Sequence, residues 1–224
     1  MPRSVNHFGF YRLTDAWRSL DDSRQAVVRA DWVESLGLAS PAVHHYRTFP
    51  AETASDILVW CAAEYSGTAP QQLFGSLARA VRPFRRWLEP VGALWGFTRA
   101  SEYSRARSRQ EIDPFESRSM PYLIVYPFTK TTEWYLLDRE TRQSMMNEHI
   151  RVGKSYREIT QLLLYSTGVQ DQEFVVVYET TDLTLFSRLV SDLRQTEARR
   201  YTKSDTPVHL GVHCPVTDLA ELWP

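Results

Sequence analysis

The stretch Tyr122-Leu-Ile-Val-Tyr126-Pro-Phe-Thr-Lys130 begins a pattern that the chain runs through twice. It is apolar and aromatic, bounded by Pro121 and by Thr131-Thr132, and reads as a strand. Further along, Asp138 is placed to cap a helix reaching about Tyr156. Thr160 to Tyr165 and Phe174 to Glu179 read as two more strands, Leu183 to Tyr201 as a second helix, and Val208 to His213 as a last strand. The order is βαββαβ. Toward the N-terminus the same order returns: a strand at His7–Leu13, a helix capped by Thr14 and ending near Gly37, strands at Ala42–Pro50 and Asp56–Ala63, a helix opened by Pro70, and a strand at Leu94–Tyr103. Two such units predict an α+β fold of tandem ferredoxin-like βαββαβ repeats, of the dimeric α+β barrel type. The expected boundaries are 1–104 for the first unit, 105–120 for an Arg/Ser/Glu-rich linker containing Pro114, and 121–224 for the second.

Bulk properties narrow the function. Hydrophobic residues make up 43% and charged residues 24% of the chain, with a formal net charge of −1, which suits a globular domain and does not point to nucleic acid as a partner. No apolar run approaches the roughly 18 residues of a membrane span, and the N-terminus lacks a secretory apolar core. Cys61 and Cys214 stand far apart with no CxxC pattern, so a cytoplasmic protein with two buried thiols is expected. There is no phosphate-binding glycine loop, dinucleotide motif or Ser-His-Asp order. His44 and His45 are adjacent on a strand and point apart, and His209 and His213 align only approximately, so neither pair is read as a metal site.

Three places can carry chemistry. On the helix of residues 138–156, Met145, His149, Val152 and Tyr156 fall on one face, placing His149 within an apolar stripe. Spacing alone leaves two readings: a core histidine bonded to a backbone carbonyl, or a metal or heme ligand beside soft methionines and Gly153. On the last helix, Leu189, Leu193, Glu197 and Arg200 continue an apolar stripe into charge. Either these charges are solvated, or Glu197 accepts a hydrogen bond from His149 while Arg199 or Arg200 pairs with a carboxylate such as a porphyrin propionate. Tyr126, held extended before Pro127, should share a strand face with Phe128 and Lys130, and Gln161 should face the way Leu163 and Tyr165 do. These side chains either line a pocket or snorkel to the surface.

Taken together, Tyr126-Pro-Phe-Thr-Lys130, Glu133-Trp134-Tyr135, Met145-Met146-x-Glu148-His149, Tyr165-Ser-Thr-Gly168, Asp171-x-Glu173-Phe174 and Leu193-Arg194-x-x-Glu197-x-Arg199-Arg200-Tyr201 resemble the chlorite dismutase-like family of heme proteins. The resemblance is strong from about residue 121 to 213; the N-terminal half matches only in element order. It implies His149 as the axial iron ligand, supported by Lys130 and Glu197, and a homo-oligomer, with a pentamer favoured. Two positions separate the branches. Gln161 stands where chlorite dismutases carry an arginine, and Tyr126 precedes the proline as in coproheme decarboxylases. The resemblance therefore implies hydrogen-peroxide-dependent conversion of iron coproporphyrin III (coproheme) to heme b, with Tyr126 forming the radical that attacks a propionate. The alternatives are chlorite dismutation to chloride and oxygen, or a heme-binding protein with weak peroxidase activity. No histidine lies between His45 and His149, so the distal histidine base of one branch has no counterpart. Upstream propionate contacts among Glu102, Arg109 and Arg118 are not assigned.

Overall fold

The computed structural model describes residues 3–103, 109–116, 119–218 and 223. These fall into two compact units, one drawn from Met1–Thr98, Asp113–Ser119 and His209–Pro224, the other from Arg99–Ile112 and Met120–Val208.

In the first unit, β1 (Ser4–Leu13), α1 (Asp15–Arg18), α2 (Asp22–Ala39), β2 (Ala42–Arg47), β3 (Ile57–Glu64), α3 (Ala69–Val81) and β4 (Leu88–Phe97) follow the expected order. The strands form an antiparallel sheet in the sequence β4–β1–β3–β2, the ferredoxin-like arrangement. The helix expected from Thr14 is two helices, because Asp21 caps a new one by accepting from the Arg24 N–H at 2.8 Å. Val28, Trp32 and Leu36 then repeat every fourth residue and are buried. Trp32 meets Tyr11 and Phe84 edge-on, with ring centres 5.1 and 5.4 Å apart. β4 starts at Leu88, earlier than its sequence suggests. Pro90 and Gly92 look like breakers, yet a register shift between Phe10 and Tyr11 absorbs them in the pairing with β1.

The second unit holds β5 (Tyr122–Lys130), α4 (Thr132–Leu136), α5 (Arg139–Lys154), β6 (Thr160–Tyr165), β7 (Phe174–Thr180), α6 (Leu183–Leu193), a 3-10 turn (Glu197–Tyr201) and β8 (Thr202–Ser204). Its sheet runs β6–β7–β5–β8. Asp138 caps α5 as expected, accepting from the Thr141 N–H at 2.8 Å. The helix expected over Leu183–Tyr201 stops at Leu193, so Glu197 and Arg200 do not extend its stripe.

Two sequence boundaries are redrawn by long-range pairing. The last strand, β9 (His209–His213), pairs with β2 through Tyr46↔His213 and Arg47↔Val212 and belongs with the first unit. Its Gly211 is needed there, since a Cβ would lie 2.7 Å from that of Tyr46. The segment read as a linker is divided. Glu111 bridges to Gln161 at the edge of β6, Gln110 donates to the Tyr156 carbonyl at 2.7 Å, and Asp113–Ser119 joins the first unit.

Candidate functional site

The candidate site is one face of the second unit's sheet. Pairing is in register across three strands, and directly paired residues project to the same side. Three rows result: Ile124–Tyr178–Gln161, Tyr126–Val176–Leu163 and Phe128–Phe174–Tyr165. Tyr126 and Gln161, which the sequence placed on two different strands, therefore share one platform. The opposite face, with Leu123, Val125, Val175, Val177, Leu162 and Leu164, is fully buried. The platform is not. Leu163 is 46% exposed although Leu162 is 3% and Leu164 0% exposed, Gln161 is exposed, and Tyr126, Phe128, Tyr165, Phe174 and Val176 are half-buried.

The helices of this unit match that openness. In the first unit, α2 and α3 bury whole stripes of side chains. In the second, α5 buries no residue and α6 buries only Leu189. The principal neighbours of α5 are α6 and the 3-10 turn. The carboxylate of Glu148 ties α5 to that turn by accepting the Glu197 N–H at 3.0 Å. Apolar side chains on both the platform and α5 are thus left half-covered, which a folded domain seldom leaves without a binding role.

His149, on α5, has its Nδ1 buried with no hydrogen-bond partner. Burial, with the Lys130 ammonium nearby, pulls its pKa down to about 4, so the ring is neutral at pH 7. Lys130 donates from Nζ to the Ala198 carbonyl at 3.3 Å and lies over the Trp134 ring at 4.2 Å. Its backbone N–H donates to Glu173 at 2.7 Å. Burial lowers the Lys130 ammonium to about 8, against the opposing pull of Glu173. The expected hydrogen bond between Glu197 and His149 is not made. Glu197 instead pairs with Arg200 at 2.8 Å, and both side chains are largely exposed.

The two candidate arginines separate clearly. Arg200 turns to solvent with Glu197, whereas Arg199 is the less exposed and binds Asp205 at 2.5 Å. Sequence reasoning missed Arg194, which reaches the same Asp205 carboxylate at 3.9 Å. Arg194 and Asp205 both act electrostatically on the Tyr126 phenol. Tyr178 was also missed. Its ring stacks on Tyr126 with centres 6.4 Å apart and planes 24° apart, and it acts electrostatically on the Tyr126 phenol. Burial raises the Tyr126 phenol well above its usual range and Tyr178 to about 12. The one sequence signal for Tyr178 was its even spacing from Phe174 and Val176 on β7. Of the unassigned upstream residues, Glu102 pairs with Arg99, whose guanidinium lies 4.2 Å over the Tyr165 ring. Arg109 sits in an exposed turn, and Arg118 lies outside the described residues.

Residues 21–214 match the chlorite dismutase family model. The chain belongs to the chlorite dismutase family. Among curated proteins it is similar to the coproheme decarboxylase of Mycolicibacterium smegmatis, 28% identical over 172 residues, covering 76% of this chain and 72% of that one. It is also similar to the coproheme decarboxylase of Staphylococcus carnosus, 28% identical and covering 65% of this chain and 64% of that one. The chlorite dismutase of Ideonella dechloratans is 25% identical, with 80% and 65% covered. The match thus spans just under two thirds of the last two proteins. Among solved structures, a putative chlorite dismutase superposes with a TM-score of 0.81 at 25% identity over 99% of both chains. A variant of the Candidatus Nitrospira defluvii enzyme superposes at 0.84 and 23% identity, over 98% of this chain and 95% of that one. These confirm the chlorite dismutase fold across both units, including the N-terminal half whose sequence resemblance was confined to element order. No helix among the described residues is long and apolar enough to cross a membrane.

Proposed function

We propose that this protein is a hydrogen-peroxide-dependent decarboxylase that converts coproheme to heme b. The observation that carries the reading is the half-open apolar platform that presents Tyr126 and Gln161 together. The residues fit an iron porphyrin: a buried imidazole nitrogen without a partner on α5, a helix with no buried residue, and an apolar sheet face left uncovered. His149 would hold the iron. Bound iron porphyrin with peroxide supplies the oxidising equivalents.

The chain's own residues do the rest. Arg194 and Arg199 offer guanidinium forks to propionate carboxylates and so fix the porphyrin's rotation about the iron. Lys130, held by Trp134 and Ala198, keeps a cation close to His149. Tyr126 would supply the phenoxyl that takes a hydrogen atom from the propionate β-carbon, the bound iron porphyrin and peroxide providing the oxidising equivalent; position is what the protein contributes. The overall step balances as one propionate, one peroxide and one proton giving a vinyl group, carbon dioxide and two waters.

Gln161 favours this over chlorite chemistry, because a neutral amide in the place of an arginine removes the cation that would attract chlorite and hold its anionic intermediate. Support also comes from the two decarboxylase relatives. The free, buried thiols of Cys61 and Cys214 fit a reducing cytoplasm. A homo-oligomer, pentameric by family resemblance, completes the reading and is tested by light scattering on the purified protein.

The deciding experiment mixes purified protein with iron coproporphyrin III and peroxide and follows the porphyrin by mass spectrometry. Loss of carbon dioxide from two propionates is expected, and Tyr126→Phe should bind porphyrin but not convert it. Rapid oxygen release from chlorite would install the chlorite dismutase reading instead. Tight heme b binding with no conversion would leave a heme-binding protein.

A further inference from the structure

We propose that Tyr178 is a second redox-active residue of this site, sharing with Tyr126, by hydrogen-atom exchange, the radical that Tyr126 uses on substrate. The inference rests on the reading of Tyr126 as the hydrogen-abstracting residue. Its ground is geometric. Tyr126 pairs with Val176 and Tyr178 with Ile124, so the two tyrosines are diagonal neighbours on one face of adjacent strands, within reach of aromatic side chains. Their rings lie nearly parallel, 24° apart with centres 6.4 Å apart, so the two phenols are stacked neighbours.

Tyr178 is also the sheltered member. It is 5% exposed, and Phe186 of α6 packs on it with ring centres 5.3 Å apart. The other tyrosines near the platform lack this combination. Tyr165 carries the Arg99 cation over its ring, and Tyr135 is 45% exposed rather than sheltered.

The exchange needs no reagent beyond the peroxide that generates the first radical. The O–H bond of Tyr178 breaks and its hydrogen, one proton with one electron, joins the phenoxyl oxygen of the neighbouring Tyr126. Tyr126 becomes a phenol again and the radical resides on Tyr178; the reverse step restores it. Both partners are phenols, so the exchange is close to thermoneutral. Burial disfavours ionising either phenol first, so proton and electron move together. A sheltered partner keeps the oxidising equivalent away from solvent when no propionate is in reach of Tyr126.

The test places 3-aminotyrosine, whose radical is lower in energy than that of tyrosine, at position 178 of the full chain. The protein is loaded with iron coproporphyrin III, mixed with peroxide, freeze-quenched and examined by electron paramagnetic resonance. An aminotyrosyl radical is expected, and it should be lost when Tyr126→Phe is added. Tyr178→Phe, which keeps the buried ring, should confine the tyrosyl radical to Tyr126. No aminotyrosyl radical, in a protein whose Tyr126→Phe variant fails to decarboxylate, overturns the tyrosine pair and leaves Tyr126 in its role. A trapped radical that survives Tyr126→Phe overturns exchange between the two. Decarboxylation by Tyr126→Phe itself overturns the reading beneath both.

Discussion

Leu162 and Leu163 are consecutive residues of β6 with opposite fates, and truncating each to alanine separates fold from site. Leu162 is 3% exposed on the buried face. Leu162→Ala removes packed methyl groups and leaves a cavity, which costs about 2–5 kcal/mol of stability. Leu163 is 46% exposed on the platform. It has about half of its burial still to gain, and full burial of a leucine is worth about 1.5–3 kcal/mol. A porphyrin lying on the platform would take up that remainder, about 1 kcal/mol, so Leu163→Ala should weaken porphyrin binding about fivefold. Its effect on the porphyrin-free protein should stay near 0.5 kcal/mol, as for other partly exposed positions. The assays are urea unfolding of the porphyrin-free protein and absorbance titration with iron coproporphyrin III. Leu163→Ala that unfolds easily yet binds normally, or Leu162→Ala that is stable and binds weakly, would refute the assignment of the two faces.

Three further outcomes are expected. His149→Ala should abolish axial ligation, seen as a changed Soret band, while leaving urea stability within about 1 kcal/mol, because the nitrogen it removes is already buried without a partner. Arg194→Ala and Arg199→Ala should each lower coproporphyrin affinity about 10- to 100-fold, the range for one charge-assisted hydrogen bond, and should affect porphyrins with fewer carboxylates less; an equal loss for coproporphyrin and for a porphyrin with fewer carboxylates would rule out a carboxylate clamp. His45 is buried, and desolvation, with His44 and His213 adding to it, holds its pKa at about 4. Its depressed folded-state value means that its contribution is complete above the unfolded value of about 6.5 and is lost as pH falls toward 4. From pH 7 to 5 the wild type should therefore lose about 2 kcal/mol more than His45→Gln, measured by urea midpoints at the two pH values.

The legible part of the site lay on single elements. Spacing put His149 on an α5 stripe with Met145 and Val152, alternation put Tyr126, Phe128 and Lys130 on one strand face, and Asp138 announced the start of α5. These depend on local periodicity, which backbone geometry imposes on neighbours in sequence. The helical stripe was carried too far, to Glu197, across Gln195 and Thr196, where α6 gives way to a 3-10 turn. Arg199 and Arg200 could not be told apart without knowing which way that turn faced.

By itself the sequence determined the repeated βαββαβ order, the family motifs, and the presence of a histidine, a tyrosine and a glutamine suited to porphyrin chemistry. Only the tertiary structure decided that Tyr126 and Gln161 share a platform, that Tyr178 stacks on Tyr126, that Arg194 and Arg199 converge on Asp205, and that β9 joins β2. The physical reason is register. Which residues of distant strands face each other depends on pairing summed over whole strands and on the burial of one face, and a shift of one residue would send every side chain to the other side. That choice, made by Leu162, Leu164, Val175 and Val177 turning inward, is what leaves Leu163, Val176 and Tyr126 on the open face.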